Sequence, residues 1–284
     1  MSTEAERKIL ESIDASGYPL EVDTANQLID KGWSVLPQYV YIDVTTKKIR
    51  TIDILAYFVT KELNYTRFPR LVVECKTTRP DNPKPWAFHS TYNPIETLQK
   101  MPSGKGIDLL TLSAIPTTIV SLLQRHIDYN NIESSGIPQE AVNLIDQSHF
   151  FDKNIPRAYS CHVAFSNQEE DEPNIFRKAV CQIGSVCFDL AKSFPRWPIL
   201  ATIVYNGGLY EYRRGLKPEL KPCNHVLYMT LELISEDLEL PEHSIPPLMI
   251  DVVADTYFPQ YLQILKKDFE ILTRIDEELG RDKP

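Results

Sequence analysis

The sequence has 284 residues, long enough for one large domain or two small ones with a substantial core. Hydrophobic residues make up 43% and charged residues 24%, which excludes general disorder. The net charge of −9 excludes an all-round basic coat for nucleic acid but leaves room for a local basic groove. No apolar run approaches the ~20 residues of a bilayer span. The charged stretch at 1–19 lacks the apolar core of a signal peptide. The cysteines (Cys75, Cys161, Cys181, Cys187 and Cys223) form no CxxC, and the histidines form no HExxH or HxH. Neither a disulfide framework nor a zinc knuckle is therefore expected, and a reducing cytoplasm is the expected compartment.

Residues 4–14 have the spacing of a short amphipathic helix. A second helix starts near Pro19, whose missing N–H costs nothing in a first turn. It shows apolar Leu20, Ala25, Leu28 and Ile29, and it stops at Gly32. Strands are expected at 33–43, 49–59 and 70–77, with Pro37 marking an edge or a bulge and turns at 45–48 and 60–69. Residues 79–173 read as a largely helical insertion. It comprises a proline-rich loop, helices at 114–127 and 138–147, a strand at 157–165 and an acidic linker at 167–173. Apolar residues then hold helical spacing over five turns, 174–194. A buried-type strand at 199–205 leads through Asn206-Gly207-Gly208, read as a hairpin turn, into 209–213. Strands at 226–233 and 248–253 and an amphipathic helix at 257–279 complete the order. A helix, a three-strand meander, a crossover helix and a further strand imply an α/β fold with a mixed sheet and helices on both faces.

The chemistry concentrates in Glu74-Cys75-Lys76, which follows Leu71-Val72-Val73 on an apolar strand. Residues two apart share a sheet face, so Glu74 and Lys76 point the same way and Cys75 points away. Asp53 is a second acid in an apolar strand, within Ile52–Ala56 by number 52–56. If the intervening turn centres near 63–64, antiparallel pairing sets Asp53 opposite Glu74, ~5 Å apart at Cα. Two acids held there repel each other, and a hard divalent cation such as Mg²⁺ relieves them. Lys76 would sit beside that site, in reach of an attacking water or a phosphate oxygen. Glu-x-Lys also occurs at Glu6–Lys8, with no upstream strand acid, and at Glu219–Lys221, in what reads as a proline-bounded loop.

An acid on the second strand followed by acid-x-Lys on the third resembles the PD-(D/E)XK nuclease superfamily. The likeness extends over GYPLEVDTANQLIDKGW, YVYID, KKIRTIDILA and LVVECKTT, and over the crossover helix and following strand at 174–205. Ile52 stands where the name-giving proline often stands. The resemblance implies a restriction-endonuclease-like mixed β-sheet core flanked by helices. That core would comprise 1–78 and 174–284, with a C-terminal strand and helix extension, and 79–173 would be the insertion. It implies an Mg²⁺- or Mn²⁺-dependent endonuclease, a hydrolase of phosphodiester bonds, with DNA the expected substrate. Asp53 and Glu74 would bind the metal with the Cys75 backbone carbonyl, and with Glu21 through water. Lys76 would orient or deprotonate the attacking water. Lys178 and Gln182, on the polar stripe of the crossover helix, match positions near the phosphate in relatives, although such a stripe is also an ordinary solvated face. Glu21 also reads as a first-turn acid favoured by the helix dipole. The expected partner is nucleic acid held in a local groove, with no membrane partner and a homodimer allowed. The alternative is a non-catalytic nuclease-fold scaffold that binds nucleic acid or a partner protein, against which the intact Asp53, Glu74 and Lys76 argue; these three residues also read as a structural ion pair on an exposed sheet face.

Overall fold

The computed structural model describes residues 3–43, 46–58, 69–78, 83–90, 144, 147–152, 154–163, 175–193, 199–214, 217–230 and 248–281. Helix α1 (Glu4–Ala15) opens with a capping box between Thr3 and Glu6. Helix α2 (Tyr18–Asp30) carries Pro19 in its first turn and gives way at Gly32, whose φ of +85° suits a residue with no Cβ. The meander follows as β1 (Trp33–Ile42), β2 (Ile49–Phe58) and β3 (Arg70–Lys76). Asp43 ties the first turn by accepting the Thr46 N–H at 2.7 Å.

The remaining strands are β4 (Trp86–His89), β5 (Arg157–Ala158), β6 (Cys161–Val163), β7 (Ile199–Tyr205), β8 (Leu209–Arg213), β9 (Glu219–Cys223), β10 (His225–Thr230) and β11 (Leu248–Ala254). Helix α3 (Ile175–Ser193) precedes β7, and α4 (Phe258–Arg281) follows β11. The main sheet is mixed and seven-stranded, in the order β1-β2-β3-β7-β11-β10-β5. β1, β2 and β3 are antiparallel neighbours, and β3, β7 and β11 run parallel. The parallel step from β3 to β7 needs a crossover, and α3 supplies it.

Two apolar layers sandwich this sheet. On one face Leu28 of α2 and Tyr261, Leu265 and Phe269 of α4 pack on Ile54, Val73 and Val204. On the other, Phe176, Ala179, Ile183 and Val186 of α3 pack on Leu55, Val72 and Ile203. Truncating one fully buried leucine of this kind, such as Leu265, costs about 2–5 kcal/mol. The second sheet, β6-β4-β8-β9, joins the α3 layer through Trp86, which stacks on Tyr205 with ring centroids 3.8 Å apart.

Several expectations change. Asn206-Gly207-Gly208 is not a hairpin turn, because β7 belongs to the main sheet and β8 pairs with β4 and β9 in the other. Residues 219–223 are not loop but the strand β9, which lies at a sheet edge where Pro222 costs no ladder bond. The strand expected over 157–165 divides into β5 and β6, which join different sheets. Ile29 is 55% exposed rather than on the buried face of α2. The described parts of 79–173 contribute β4, β5, β6 and a 3-10 turn at His149–Phe151. The helix expected at 114–127 lies outside the described residues, as does that at 138–147 except for Leu144, which is helical, and Gln147, which lies in a turn. Among the described residues no helix is long and apolar enough to cross a membrane.

Candidate active site

The pairing of β2 with β3 runs from Tyr57↔Arg70 to Ile54↔Val73, and one further step in that register sets Asp53 against Glu74. There a side chain replaces the backbone as acceptor: Asp53 Oδ2 takes the N–H of Cys75 at 2.7 Å. On the other flank of β2, β1 pairs Pro37 with Ile54 and Tyr39 with Ile52 but skips Gln38, whose φ is +50°. A left-handed backbone at a non-glycine residue costs roughly 1–2 kcal/mol. This kink breaks the inside–outside alternation of both strands. Ile54 and Ala56 pack in the α2–α4 layer, whereas Ile52 packs with Leu55 in the α3 layer. Asp53 sits at that switch, beside the place where β2 and β3 stop pairing.

Glu74 is 1% exposed, and its Oε1 accepts a hydrogen bond from Lys76 Nζ. Its other oxygen, Oε2, is buried with no hydrogen-bond partner among the described residues. Burial raises its pKa to about 7 and the charge of Asp53 adds to the rise, while Lys76 and the backbone N–H of Asp53 oppose it. Asp53 is also raised, by burial, against the pull of the Cys75 N–H and Lys76. Glu21 of α2 joins the group from above the sheet. Burial and then Asp53 raise its pKa, while the amide of Gln38, donating to Glu21 Oε2 at 2.6 Å, and the charge of Lys76 oppose the rise. Asp53 thus neighbours both Glu21 and Glu74, and its charge raises the pKa of each. A buried orphan oxygen among raised acids is a donor set that fits a hard divalent cation.

The expected residues Glu21, Asp53, Glu74 and Lys76 therefore come together from α2, β2 and β3. Cys75 turns its thiol to Thr24 Oγ1 of α2, 3.7 Å away, and burial raises its pKa further from the range of a reactive thiolate. Lys178 and Gln182 lie on α3, exposed and half-buried respectively, and no hydrogen bond or ion pair among the described residues ties them to the acids. Two residues missed in the sequence support the group. Gln38 holds Glu21 from the kink in β1, and Pro37 beside it was the available signal. Asn206 braces the end of β3: its N–H donates to the Lys76 carbonyl at 3.3 Å, and its side chain accepts the Thr78 N–H at 2.7 Å.

Comparison with known proteins finds no matching family model, and neither a curated protein nor a solved structure shows significant similarity to this chain.

Proposed function

We propose that this chain is a metal-dependent nuclease that hydrolyses phosphodiester bonds, with DNA the expected substrate. The observation that carries the reading is Glu74: buried on an apolar strand, one step beyond the β2–β3 ladder from Asp53, with one oxygen held by Lys76 and the other without a partner among the described residues. A structural ion pair accounts for the Lys76 contact but leaves Oε2 unexplained. The chain order α2-β1-β2-β3-α3-β7, with β3 and β7 parallel, agrees with the core that the PD-(D/E)XK resemblance implies.

In this reading Asp53 and Glu74 hold Mg²⁺ or Mn²⁺, with the Cys75 carbonyl and, through water, Glu21. The ion supplies a Lewis acid for the phosphate and lowers the pKa of a bound water. Lys76, 20% exposed, reaches the open side of the group. With a cation held by the acids, its ammonium would orient the attacking water and face negative charge developing on the phosphate oxygens. Gln38 holds Glu21 in place, and Asn206 fixes the backbone that carries Lys76. Lys178 and Gln182 enter as contacts to flanking phosphates. The net charge of −9 confines substrate binding to a local groove, so binding weakens as salt rises.

The test is incubation of plasmid DNA with the purified protein in Mg²⁺ or Mn²⁺. Nicked or linear product that EDTA prevents is the expected result. A folded protein that cuts neither DNA nor RNA with any divalent ion, yet retains nucleic acid, points instead to a non-catalytic scaffold.

A further inference from the structure

A second polar cluster lies two strands away from the acids. Asp251 of β11 pairs in register with Thr202 of β7, which pairs with Val73 of β3. Asp251 faces α4, the side of the sheet opposite Glu74. Around it gather His225 of β10, His149 of the 3-10 turn, and Tyr261 and Asp268 of α4, all 5% exposed or less. Both imidazoles aim Nε2 at the same oxygen, Asp251 Oδ1, His149 at 3.0 Å and His225 at 2.6 Å. The three donor atoms lie within 4.8 Å of one another.

We infer that His149, His225 and Asp251 form a structural site for a borderline divalent transition ion, Zn²⁺ being the best match. Imidazole nitrogen and carboxylate oxygen are the donors such ions take. In a tetrahedral zinc site ligand atoms stand about 3.3 Å apart, so the two Nε2 atoms need only small outward shifts from Oδ1 to admit the ion. The outer contacts are those a metal site uses. Asp268 Oδ2 bonds Nδ1 of His149, which fixes the tautomer that leaves Nε2 as a lone-pair donor. Asp268 also accepts the His149 N–H at 3.1 Å. Tyr261 donates to Asp251 Oδ2 at 2.9 Å and meets Thr202 at 2.8 Å, so the second carboxylate oxygen is oriented as well. Charge balance is compatible with an ion, since one divalent cation offsets the two carboxylates gathered here. His225 Nδ1 has no hydrogen-bond partner among the described residues, and an ion on Nε2 leaves it so, which makes His149 the better-braced of the two imidazoles. The ion would clamp the 149–151 turn and β10 to β11. The site does not depend on the nuclease reading.

The test uses the full chain, stripped with a chelator and reloaded with Zn²⁺ or Co²⁺. One Zn²⁺ per chain, a thermal midpoint raised by several degrees, and zinc X-ray absorption showing two imidazoles and no sulfur are expected. Co²⁺ should give the visible bands of a four-coordinate site. These bands should persist in Asp53→Asn/Glu74→Gln protein and vanish in His225→Asn. Absence of stoichiometric Zn²⁺ from folded wild type, or bands lost in the double acid variant, overturns the inference. If His225→Asn does not fold, wild type and the double variant decide the matter between them.

Discussion

The backbone N–H of Cys75 donates to the carboxylate of Asp53 at 2.7 Å, so a side chain of β2 is fastened to the main chain of β3. This bond lies between Glu74 and Lys76, whose side chains meet each other one step to either side. Asp53 is thereby held against the acid-x-Lys triplet by the strand itself, before any ligand arrives. Such fixed placement is what electrostatic catalysis requires, because no reorganisation remains to be done in the transition state.

Lys76→Ala should reduce turnover by about 10²-fold or more, the scale for removing one preorganised donor to developing charge. Mg²⁺ binding should survive, since the lysine is no ligand and its loss relieves repulsion of the cation. Cleavage rates measured beside a calorimetric titration check this. Equal cleavage by wild type and Lys76→Ala would remove Lys76 from the mechanism.

Gln38→Ala frees Glu21 from its amide partner while leaving Asp53, Glu74 and Lys76 in place. Turnover should fall by about tenfold, the worth of one hydrogen bond to a charged group. Gln38→Gly, which tolerates the φ of +50° without strain, should lose the same activity and melt no lower than Gln38→Ala. A drop in activity that tracks melting temperature across the two variants would make Gln38 a purely structural residue.

Much of this arrangement is legible in the sequence, for physical reasons. The β2–β3 register follows from the turn centre, because pairing partners sum to a constant: Ile54↔Val73 and Leu55↔Val72 fix where Asp53 falls. The spacing in α3 follows from burial of one continuous face against β3 and β7. The kink is half legible: Pro37 marks an edge or a bulge, but nothing in Gln38 itself announces its positive φ. Residues 219–223 read as loop because Pro218 and Pro222 veto a central strand, and only the sheet order reveals an edge. The histidine cluster is hidden for a different reason. His149, His225, Asp251 and Asp268 sit on four separate elements, so no local spacing announces them.

Gly207 is a steric requirement at the junction of the two sheets. A Cβ there would lie 2.4–2.6 Å from the ring of Tyr205. That ring stacks on Trp86, and Tyr205 pairs in register with Lys76. Gly207→Ala should cost about 1–3 kcal/mol, the usual range for overpacking, and should lower cleavage as Tyr205 shifts. Denaturant unfolding of the variant, with near-ultraviolet dichroism to report the Trp86–Tyr205 pair, measures both. Unchanged stability and dichroism would mean that the turn relaxes freely.

The raised acid predicts a pH dependence. Glu74 moves from 4.5 to about 7 on folding, so the folded state binds its proton more tightly than the unfolded chain does. Its contribution to metal-free stability is complete below about pH 4.5 and is lost as pH rises through about 7. His149 follows the same sign at higher pH. Burial opposes its charge, but Asp251 and Asp268 raise it to about 10, so its contribution in metal-free protein is lost as pH climbs through that value. Added Mg²⁺ should restore stability above pH 7, by taking the place of the Glu74 proton, and should leave stability near pH 5 unchanged. Thermal melts across this range, with and without Mg²⁺, display the sign directly.

Glu74→Gln gives the sharpest measurement, because glutamine keeps the shape of the side chain and can still accept from Lys76. Mg²⁺, which prefers oxygen ligands to imidazole, is titrated calorimetrically into both proteins at pH 7.5, and each is melted without metal. A metal-binding Glu74 predicts that Mg²⁺ binding disappears while the metal-free melt holds steady or rises, since a buried carboxylate crowded by Asp53 has been removed. Mg²⁺ binding that is the same in both proteins, together with a lower metal-free melt for Glu74→Gln, would make Glu74 the structural partner of Lys76 and contradict the nuclease assignment.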